Sequence, residues 1–574
     1  MSDTGSTTRA AADRLRRTAS DVFGWDVLRP GQLAAMEAVV EGRDTLVVMP
    51  TGAGKSAVYQ VAALCLPGPT AVVSPLLALQ RDQIAGLLRH DGPEGVAVNS
   101  DQGARQTAAA WEAVSGGDIE YLFLSPEQLA KDDVVERLAE AAPSLFVVDE
   151  AQCVSTWGHD FRPAYLRLAQ VVERVGRPTV LALTATAAPP VRDEIVERLG
   201  MRDPALVVAG FDRPNIRLEV HRFLEDGDKR RAVVERAAAE PKPGILYAGT
   251  RKDTEGYAAE LADLGLRAAA YHAGLRVAER SQVHDAFLAG DLDVVAATSA
   301  FGMGIDKEDV RFVLHAAVPG SLDAYYQEVG RAGREGEPAV AVLHYRPQDT
   351  GLQNFFAARG PAEDTVAEVT ARLHEHDEPV GLEDLREETG LSRNRVTAAA
   401  NLLEETGAAI TDEEGAVAAV EGMTAEDAVE RAAEAARARR MLERSRVEMV
   451  RAYAETTGCR RRLLLGYFGE TYEGPCGNCD TCDPAAPSDS LGADSPQGLP
   501  RGGGAPAAHP TAAAFPPGTR VRHTTWGDGL VLSEDGDRIT VLFDTVGYRT
   551  LSLPAVTEQD LLTAVTTASP ADTD

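Results

Sequence analysis

Short apolar runs alternate with longer segments of mixed polarity from residue 44 to residue 297. In the first part of this region, the apolar runs lie at residues 44–48, 71–73, 121–124, 145–148 and 180–183. Such runs are typical of strands buried on both faces, and helical segments between them are typical of a parallel α/β sheet. Further runs at residues 244–247, 268–271 and 294–297 predict a second sheet of the same class.

The rest of the chain shows other patterns. Residues 382–405 predict two helices separated by a turn at 390–392, with Ser392 capping the second helix. Alternating residues on either side of 411–415 predict a two-stranded wing, which completes a helix-turn-helix pattern. Short strands punctuated by glycine after residue 518 predict a small SH3-like barrel.

Composition narrows the class of protein. The chain has 574 residues, enough for several domains, and 44% of them are apolar. No apolar run approaches about 18 residues, so we expect no membrane span. The polar N-terminus lacks the apolar segment of a secretory signal, which predicts a cytosolic protein. The net charge of −31 argues against nucleic-acid binding by the chain as a whole, although binding depends on where the positive charge lies.

One strand-to-helix junction is rich in glycine. Residues 49–56 read Met-Pro-Thr-Gly-Ala-Gly-Lys-Ser. Glycines in such a loop turn backbone N–H groups toward a phosphate, and the helix N-terminus adds its dipole. We expect Lys55 to reach the β- and γ-phosphates of ATP and the Ser56 hydroxyl to ligate Mg²⁺. An ordinary glycine-rich turn is the alternative, since Met49 stands where the general pattern has Gly. The predicted nucleotide contacts here are Thr51, Gly52, Gly54, Lys55 and Ser56.

Two carboxylates, Asp149 and Glu150, follow the apolar run 145–148. The C-terminal end of a parallel strand lies at the sheet edge where ligands bind. We expect Asp149 to hold the Mg²⁺ shell and Glu150 to orient and deprotonate the attacking water. A chance Asp-Glu pair is the alternative. The pair becomes a candidate catalytic site because the chain also contains the glycine-rich loop at residues 49–56, called the phosphate loop below.

The second α/β half carries Gly-Arg-Ala-Gly-Arg, which contains Arg331 and Arg334. If that segment is helical, their three-residue spacing places both guanidinium groups on one face. Two such groups stabilise a phosphoryl group in transfer, so we expect arginine fingers that act across the nucleotide cleft. Solvated surface arginines are the alternative. Further candidate nucleotide contacts in this half are Gly304, Asp306 and Gln327.

Four of the six cysteines cluster late in the chain, and they are Cys459, Cys476, Cys479 and Cys482. Four thiolates with repeated two-residue spacing suit tetrahedral Zn²⁺ in a closed structural site, and chance free cysteines are the alternative. Cys65 and Cys153 have no metal-ligand spacing and are expected in cores. Metal binding is expected to fold this module. The arginines then expected to face DNA are Arg460, Arg461 and Arg462.

Several segments together resemble a known family. Three segments are similar to those of RecQ-family DNA helicases. They are Phe-Gly-Trp before Arg-Pro-Gly-Gln within residues 23–32, the Met-Pro-Thr-Gly loop, and Trp-Gly-His-Asp-Phe-Arg-Pro at residues 157–163. The stretch that begins at Cys459 resembles the zinc module of that family. The resemblance covers about residues 20–350 and 440–484. It implies two RecA-like domains that clamp Mg·ATP and track 3′ to 5′ along single-stranded DNA.

The resemblance also implies roles for individual residues. The implied adenine contacts are Trp25, Arg29 and Gln32, for which a helix cap beside a core aromatic is the alternative. The implied DNA contacts are Ser74, Trp157, Phe161, Arg162, Thr250, Arg251, His272 and Thr298. Gln152 departs from the family, which usually has His there. Because Gln cannot titrate, we expect hydrolysis to persist while coupling to DNA stays in question.

The predicted fold class is α/β with six parts. They are a RecA-like domain at 1–209, a second RecA-like domain at 210–348, a winged-helix-like insertion at 349–430, a helical zinc-binding module at 431–484, a flexible linker at 485–516 and an SH3/Tudor-like barrel with a tail at 517–574. Residues 211–215 are the expected hinge. Between residues 360 and 430 there are 19 Asp and Glu against 4 Arg. This charge repels a phosphate backbone, so DNA-binding, spacer and protein-contact roles all stay open for the insertion.

The predicted function is therefore an ATP-dependent DNA helicase of RecQ type, acting in DNA repair or recombination. An ATP-driven translocase that moves on DNA without separating strands is one alternative, and a non-enzymatic adaptor is another. The expected cofactors are ATP, Mg²⁺ and Zn²⁺. The expected partners are single-stranded and partial-duplex DNA, with a protein partner at the Tudor-like barrel. The expected location is the cytoplasm, in association with the nucleoid.

Overall fold

The computed structural model describes residues 4–75, 77–89, 93–99, 102–155, 162–302, 307–357, 360–412, 415–483, 515–516, 518–535 and 537–565. The chain divides into two compact units. The first comprises Met1–Gly210 with Arg359–Arg440, and the second comprises Phe211–Ala358 with Met441–Asp574. No helix in the described ranges is long and apolar enough to cross a membrane. The predicted linker at 485–516 lies almost wholly outside these ranges.

The first unit is built on a seven-stranded parallel sheet. Its strands are β1 (Thr45–Val48), β2 (Thr70–Val73), β3 (Gly95–Val98), β4 (Tyr121–Leu124), β5 (Leu145–Val148), β6 (Thr179–Thr184) and β7 (Ala205–Val208). The helices that accompany it are α1 (Thr4–Phe23), α2 (Gln32–Val40), α3 (Lys55–Ala63), α4 (Leu77–Arg89), α5 (Ala104–Gly116), α6 (Asp132–Ala141), α7 (Leu168–Arg174) and α8 (Pro189–Arg198). The strand order is β3-β4-β2-β5-β6-β1-β7, and every neighbouring pair is parallel.

This strand order places three loops together. β5, β6 and β1 are neighbours, so the residues that follow them lie at one edge of the sheet. At the opposite edge, the buried carboxylate of Asp44 fixes the start of β1. It accepts hydrogen bonds from the Arg177 guanidinium at 2.6 Å, the Arg202 N–H at 2.7 Å and the Val180 N–H at 2.9 Å. The register of β1 against β6 is thereby held from the end remote from the phosphate loop.

The insertion within the first unit contains three helices and a hairpin. Its elements are α14 (Glu363–Leu373), α15 (Leu382–Thr389), α16 (Arg393–Glu405), β14 (Ala409–Thr411) and β15 (Val417–Ala419). The hairpin is antiparallel, and the group has its own apolar core. The predicted side-chain cap by Ser392 is wrong, because the Arg395 N–H donates to the Ser392 carbonyl oxygen at 2.9 Å rather than to its hydroxyl.

The second unit is built on a six-stranded parallel sheet. Its strands are β8 (Ile216–Arg222), β9 (Gly244–Tyr247), β10 (Ala268–Tyr271), β11 (Val294–Ala297), β12 (Phe312–His315) and β13 (Ala339–Tyr345). The helices around it are α9 (Asp226–Ala239), α10 (Arg251–Asp263), α11 (Val277–Ala289), α12 (Leu322–Val329) and α13 (Thr350–Ala357). The order is β10-β11-β9-β12-β13-β8, again parallel throughout. The prediction of two parallel-sheet domains is confirmed.

The C-terminal part of the chain adds helices and an antiparallel sheet. The helices are α17 (Ala425–Glu455), α18 (Arg460–Tyr467) and α19 (Leu553–Glu558), and the boundary between the units falls within α17. The strands are β16 (Arg520–His523), β17 (Gly527–Asp535), β18 (Arg538–Phe543), β19 (Gly547–Ser552) and β20 (Leu562–Ala564), in the order β19-β18-β17-β16-β20. The predicted closed barrel is not confirmed, because the outer strands β19 and β20 do not pair within the described ranges.

Candidate functional site

The phosphate loop has the backbone that its glycines predict. Gly52 and Gly54 have φ values of +81° and +76°, in the left-handed region that favours glycine, and α3 begins at Lys55. The Lys55 ammonium donates to the Met49 carbonyl oxygen at 3.4 Å. The helix N-terminus at this junction presents backbone N–H groups and the positive end of its dipole, which suits an anion.

Two of the three residues expected to select adenine, Arg29 and Gln32, contact this loop. The Gln32 carboxamide donates to the carbonyl oxygens of Ala53 at 3.1 Å and Gly54 at 2.9 Å, and the Arg29 guanidinium donates to the carbonyl oxygen of Gly52. A Cβ on Gly54 would lie 2.7 Å from Gln32 Nε2, so the Gln side chain and the glycine fit each other. Trp25 stacks on Phe23 with their ring centroids 4.7 Å apart. Their contact with adenine stays a prediction.

Asp149 lies directly after β5 and is buried. Burial raises the pKa of Asp149 to about 6, assisted by the neighbouring Glu150 and opposed by the charge of Lys55. Its carboxylate accepts hydrogen bonds from the Glu150 N–H at 2.9 Å and the Gln83 carboxamide at 3.2 Å. Mg²⁺ prefers oxygen ligands, and the Asp149 carboxylate and the Ser56 hydroxyl supply them. These two residues therefore fit the ion.

Gln152 connects Glu150, one of the two predicted catalytic carboxylates, to the end of β6. Its carboxamide nitrogen donates to Glu150 Oε2 at 2.8 Å, and its oxygen accepts from the Thr184 hydroxyl at 2.6 Å, where β6 ends. Gln152 is 1% exposed; its bond with Thr184 is buried, and its bond with Glu150 is partly buried. Gln152, which departs from the family's usual His, thus joins Glu150 to Thr184. Because Thr184 lies 32 residues later in the chain, the sequence did not indicate this partner.

The residues predicted to contact DNA in the first unit are placed differently from one another. Ser74 is fully buried after β2 and presents no hydroxyl to solvent. The Arg162 guanidinium donates to the Pro75 carbonyl oxygen at 3.0 Å. Trp157 and Phe161 lie outside the described residues, as do Gly304 and Asp306 in the second half.

The structure brings the DNA-contact candidates of the second unit to one sheet edge. Thr250, His272 and Thr298 follow β9, β10 and β11, which are adjacent parallel strands. A Cβ on Gly274 would lie 2.9 Å from Arg251 Nη1 and 3.1 Å from His272 Nδ1, so Arg251 lies beside His272. Thr250 caps α10 by accepting a hydrogen bond from the Asp253 N–H at 3.1 Å, and His272 is buried against Glu255. Binding of DNA by this group stays a prediction.

The arginine pair does not lie on a helix face, because α12 ends at Val329. Arg331 and Arg334 therefore stand in the turn that follows, and Arg331 is buried. Two residues of the expected hinge fix this turn. The Arg213 guanidinium donates to the carbonyl oxygens of Ala332 and Gly333, both at 2.9 Å, and the Asn215 carboxamide donates to Gly333 at 2.7 Å. Sequence spacing gave no sign of this support.

Gln327 precedes this turn within α12 and is half-buried. Near Arg331, the hydroxyl of Tyr247 donates to the Phe301 carbonyl oxygen at 2.8 Å. Burial raises the pKa of Tyr247, although the nearby Arg331 guanidinium opposes that shift. Arg331 therefore stands in a closely packed polar environment rather than on a solvated surface.

The four predicted zinc ligands converge. The sulfur atoms of Cys459, Cys476, Cys479 and Cys482 all lie within 4.8 Å of one another. The Cys459 thiol donates a hydrogen bond to the Cys479 sulfur, which lowers the pKa of Cys479 and raises that of Cys459. A compact set of four sulfur donors fits tetrahedral Zn²⁺. Cys65 and Cys153 are buried in cores, as predicted.

The expectation that Arg460 and Arg461 face DNA is wrong, because both side chains are buried. Arg460 pairs with the Asp480 carboxylate at 2.8 Å, and Arg461 donates to the Ile216 carbonyl oxygen at 2.7 Å. The cysteine loop also pairs with β8, since the Leu218 N–H donates to the Asn478 carbonyl oxygen at 3.3 Å. Arg461 and the loop backbone therefore fasten the zinc module to the edge strand of the second sheet, while Arg460 holds the loop itself.

Three protein-family models match the chain. The DEAD/DEAH box helicase model matches residues 29–195, the helicase conserved C-terminal domain model matches residues 228–336, and the RecQ zinc-binding model matches residues 417–483. The first two fall on the two parallel-sheet domains, and the third includes the cysteine cluster.

Similar proteins agree with these matches. The chain is 35% identical over 483 residues to the ATP-dependent DNA helicase RecQ of Pasteurella multocida, covering 83% of this chain and 64% of that protein, slightly less than two thirds of its length. It is 34% identical over 473 residues to the probable ATP-dependent DNA helicase RecS of Bacillus subtilis, covering 82% of this chain and 91% of that protein. The solved structure of the DUF1998 helicase MrfA bound to DNA shares the fold, with a TM-score of 0.50 and 18% identity over 72% of this chain and 60% of that chain. On its sequence relationships, its paired parallel-sheet domains and its four-cysteine cluster, the chain belongs to the RecQ family of ATP-dependent DNA helicases.

Proposed function

We propose that this chain hydrolyses ATP to move 3′ to 5′ along single-stranded DNA and to unwind duplex DNA in repair or recombination. The observation that carries the proposal is the catalytic edge of the first unit. There, Lys55 lies close enough to Asp149 to oppose the rise in its pKa, and Gln152 joins Glu150 to Thr184. An adaptor on an inactive fold would not need this connected arrangement.

In the proposed mechanism, Lys55 and the loop N–H groups hold the β- and γ-phosphates. Ser56 and Asp149 hold Mg²⁺, which when bound neutralises the phosphate charge. Glu150 orients the attacking water and takes its proton. Arg331 and Arg334 stabilise the charge on the transferred group. The proposed nucleotide contacts besides these are Trp25, Arg29, Gln32, Thr51, Gly52, Gly54, Gly304, Asp306 and Gln327.

Movement requires that the two units grip DNA in turn as ATP is bound and hydrolysed. The proposed contacts in the second unit, Thr250, Arg251 and Thr298, share one sheet edge, which suits a backbone that runs across several strands. The buried His272 lies beside Arg251 and is not proposed as a direct contact. Those proposed in the first unit are Trp157, Phe161 and Arg162. Ser74 is left out, because its buried hydroxyl cannot reach a phosphate. A helicase of this kind would act in the cytoplasm at the nucleoid.

The remaining parts have proposed roles as modules. We propose that α14–α16 with the β14–β15 hairpin form a winged-helix-like spacer or protein-contact module, because its acidic surface repels DNA. The C-terminal antiparallel sheet is proposed as an SH3/Tudor-like module that binds a partner.

A translocase that remodels nucleoprotein without strand separation is the second candidate. The acidic insertion favours it, since 19 carboxylates against 4 arginines lie in a segment where a DNA-gripping winged helix would carry positive charge. Both candidates require DNA-stimulated hydrolysis, so only an unwinding measurement separates them.

The deciding experiment measures hydrolysis stimulated by single-stranded DNA beside unwinding of 3′-tailed and 5′-tailed duplexes. Unwinding of the 3′-tailed duplex alone is expected. Hydrolysis without unwinding would favour the translocase, and loss of both would favour an adaptor. Lys55→Ala is expected to abolish hydrolysis, because the β/γ-phosphate charge loses its main cation. Arg231→Ala, which removes an exposed cation from α9, is the control and should retain full turnover.

A further inference from the structure

The C-terminal sheet packs closely on helices of the zinc module within the second unit. A Cβ on Gly547, at the start of β19, would lie 2.3 Å from Ser445 Oγ in α17. The hydroxyls of Tyr548 in β19 and Tyr467 in α18 are 3.1 Å apart, and Tyr467 also donates to the Asp323 carboxylate. The side chains of Tyr548, Tyr467 and Asp323 are all buried. The sheet therefore stands in a fixed position against α17 and α18.

A groove of about 820 Å³ lies between α17 and the strands β18 and β19. Its cationic lining residues are Arg444, Arg451, Arg538 and Arg549, and its anionic ones are Glu448 and Glu455. The lining thus has an excess of two positive charges in a chain whose net charge is −31. Because both walls belong to a closely packed interface, the groove exists before any ligand binds.

The protein balances only part of this positive charge. Both carboxylates pair with Arg451, Glu455 at 3.1 Å and Glu448 at 3.7 Å. Arg444 and Arg538 are exposed and form no ion pair with any other residue that the structure describes. Burial lowers the pKa of Arg549, with Glu448 opposing the shift, so this guanidinium also lacks full compensation. A bound anion would supply the missing negative charge.

The chemistry of the lining selects the kind of anion. Planar guanidinium groups match phosphate oxygens in pairs, and Arg444 and Arg451 are separated by two helical turns, about 10 Å along α17. Arg538 and Arg549 come from the opposite wall, so cations flank a channel rather than form a single spot. The one aromatic residue in the lining, Tyr548, is buried and gives a base no ring to stack on.

We propose that this groove binds the phosphodiester backbone of the DNA on which the chain acts, independently of base sequence. The inference rests on the proposed function and adds to it a second grip on DNA, made by the C-terminal sheet and α17. An acidic protein segment is the competing ligand, and the experiment below separates the two.

The test compares wild type with Arg444→Ala/Arg538→Ala in the full chain. Binding of a fluorescent tailed duplex is measured by anisotropy across a series of salt concentrations. Removing two phosphate contacts should raise the dissociation constant about tenfold or more, and should lower the slope of log K against log salt by about two. Binding of single strands and of blunt duplex shows which form of DNA occupies the groove. Arg231→Ala/Arg520→Ala, which removes two exposed arginines elsewhere, should change neither quantity.

A second variant is expected to change DNA affinity in the opposite direction. Glu448→Gln removes a carboxylate from the groove and leaves Arg451 paired only with Glu455 and Arg549 without the opposing charge of Glu448, so it should tighten DNA binding severalfold. Hydrolysis at saturating single-stranded DNA should be unchanged in both variants, because neither alters the phosphate loop. A wild-type chain without DNA-stimulated ATP hydrolysis would overturn the proposed function itself. Normal hydrolysis with unchanged affinity and salt slope would overturn the groove alone. Binding of polyglutamate, a model of an acidic protein segment, is measured for the same variants. If Arg444→Ala/Arg538→Ala loses polyglutamate binding but keeps its DNA binding, the groove binds an acidic protein instead of DNA.

Discussion

At the scale of single residues, the proposed hydrolysis requires that Glu150 be held in place, and hydrogen bonds through Gln152 can hold it. Gln152 donates to Glu150 in a partly buried bond and accepts from Thr184 in a buried one. A hydrogen bond between a neutral donor and a carboxylate contributes about 1.5–3 kcal/mol, and breaking this one leaves the carboxylate free to turn. We therefore propose that Gln152 fills the place of the family's usual His through these hydrogen bonds, without needing to titrate.

We expect Gln152→Ala to lower DNA-stimulated hydrolysis about tenfold, because Glu150 loses its orienting donor and its link to Thr184. ATP binding should be unchanged, since the phosphate loop is untouched. Hydrolysis with and without single-stranded DNA, beside nucleotide binding, measures both. Gln152→His is the matched variant and should retain most of the stimulation. Full stimulation in Gln152→Ala would show that the bridge to Thr184 has no role in coupling.

Glu120, just before β4, is a second residue with a measurable consequence. Burial raises the pKa of Glu120 from 4.5 to about 6, and its buried Oε1 has no partner within the described ranges. The charged form is therefore costly in the folded chain above pH 6, and this cost disappears below pH 4.5, where the carboxyl is neutral in both states.

We expect Glu120→Gln to raise the free energy of unfolding by about 1 kcal/mol at pH 8, after allowance for partial solvent exposure. The gain should shrink as the pH falls through 6 and vanish near 4.5. Urea unfolding at several pH values measures this trend against the wild type, with the exposed Glu127→Gln as the control. A gain that did not depend on pH would exclude desolvation of the carboxylate as its cause.

At the scale of secondary-structure elements, the cysteine loop and β8 depend on each other. β8 is the edge strand of the second sheet, and an unpaired edge invites pairing with other chains. The loop covers part of that edge through bonds from the Leu218 N–H to Asn478 and from the Asp480 N–H to Leu218. Zinc in the cluster therefore supports the sheet as well as its own loop.

Cys479→Ser should remove the bound zinc and promote aggregation, because three remaining thiolates hold the ion weakly and the β8 edge loses its cover. Metal analysis of the purified chain and light scattering measure these two effects. Cys65→Ser, in the core of the first unit, is the matched control and should keep its zinc. Equal zinc content in the two variants would exclude the cluster as the binding site.

At the scale of the whole molecule, charge is unevenly distributed. Residues 360–430 carry 19 carboxylates against 4 arginines, whereas residues 431–462 carry 10 arginines against 4 carboxylates. Several of those arginines are buried and structural, among them Arg446, Arg460 and Arg461. The positive charge available to a ligand is therefore smaller than the sequence suggests, and it is concentrated in particular places such as the groove beside α17.

The composition of residues 485–516, rich in Pro, Ala, Gly and Ser, predicts a segment that proteases can reach. After cleavage there, we expect the C-terminal sheet to stay bound to the rest of the chain, because its interface with α17 and α18 buries Tyr548 and admits only glycine at 547. Size-exclusion chromatography of the cleaved protein measures this association. Gly547→Val should release the fragment, since its side chain would clash with Ser445. Separation of the wild-type fragments would contradict a fixed interface.

The sequence by itself determined the two parallel-sheet domains, the phosphate loop and the zinc ligands, because each rests on a local pattern. Apolar runs, glycines before Lys55 and two-residue cysteine spacing act through neighbours along the chain. The predicted strands at 121–124, 145–148 and 244–247 match β4, β5 and β9 in full. The nucleotide and DNA roles of the individual residues stay predictions.

Only the tertiary structure decided how distant residues meet. Gln152 reaches Thr184, Arg213 holds the turn that carries Arg331, and Tyr548 meets Tyr467 because the fold brings separate elements together. Burial reversed the expectation for Arg460 and Arg461, since a charged side chain looks the same in sequence whether it faces water or an internal carboxylate. Partner and exposure are properties of packing, and no local pattern encodes them.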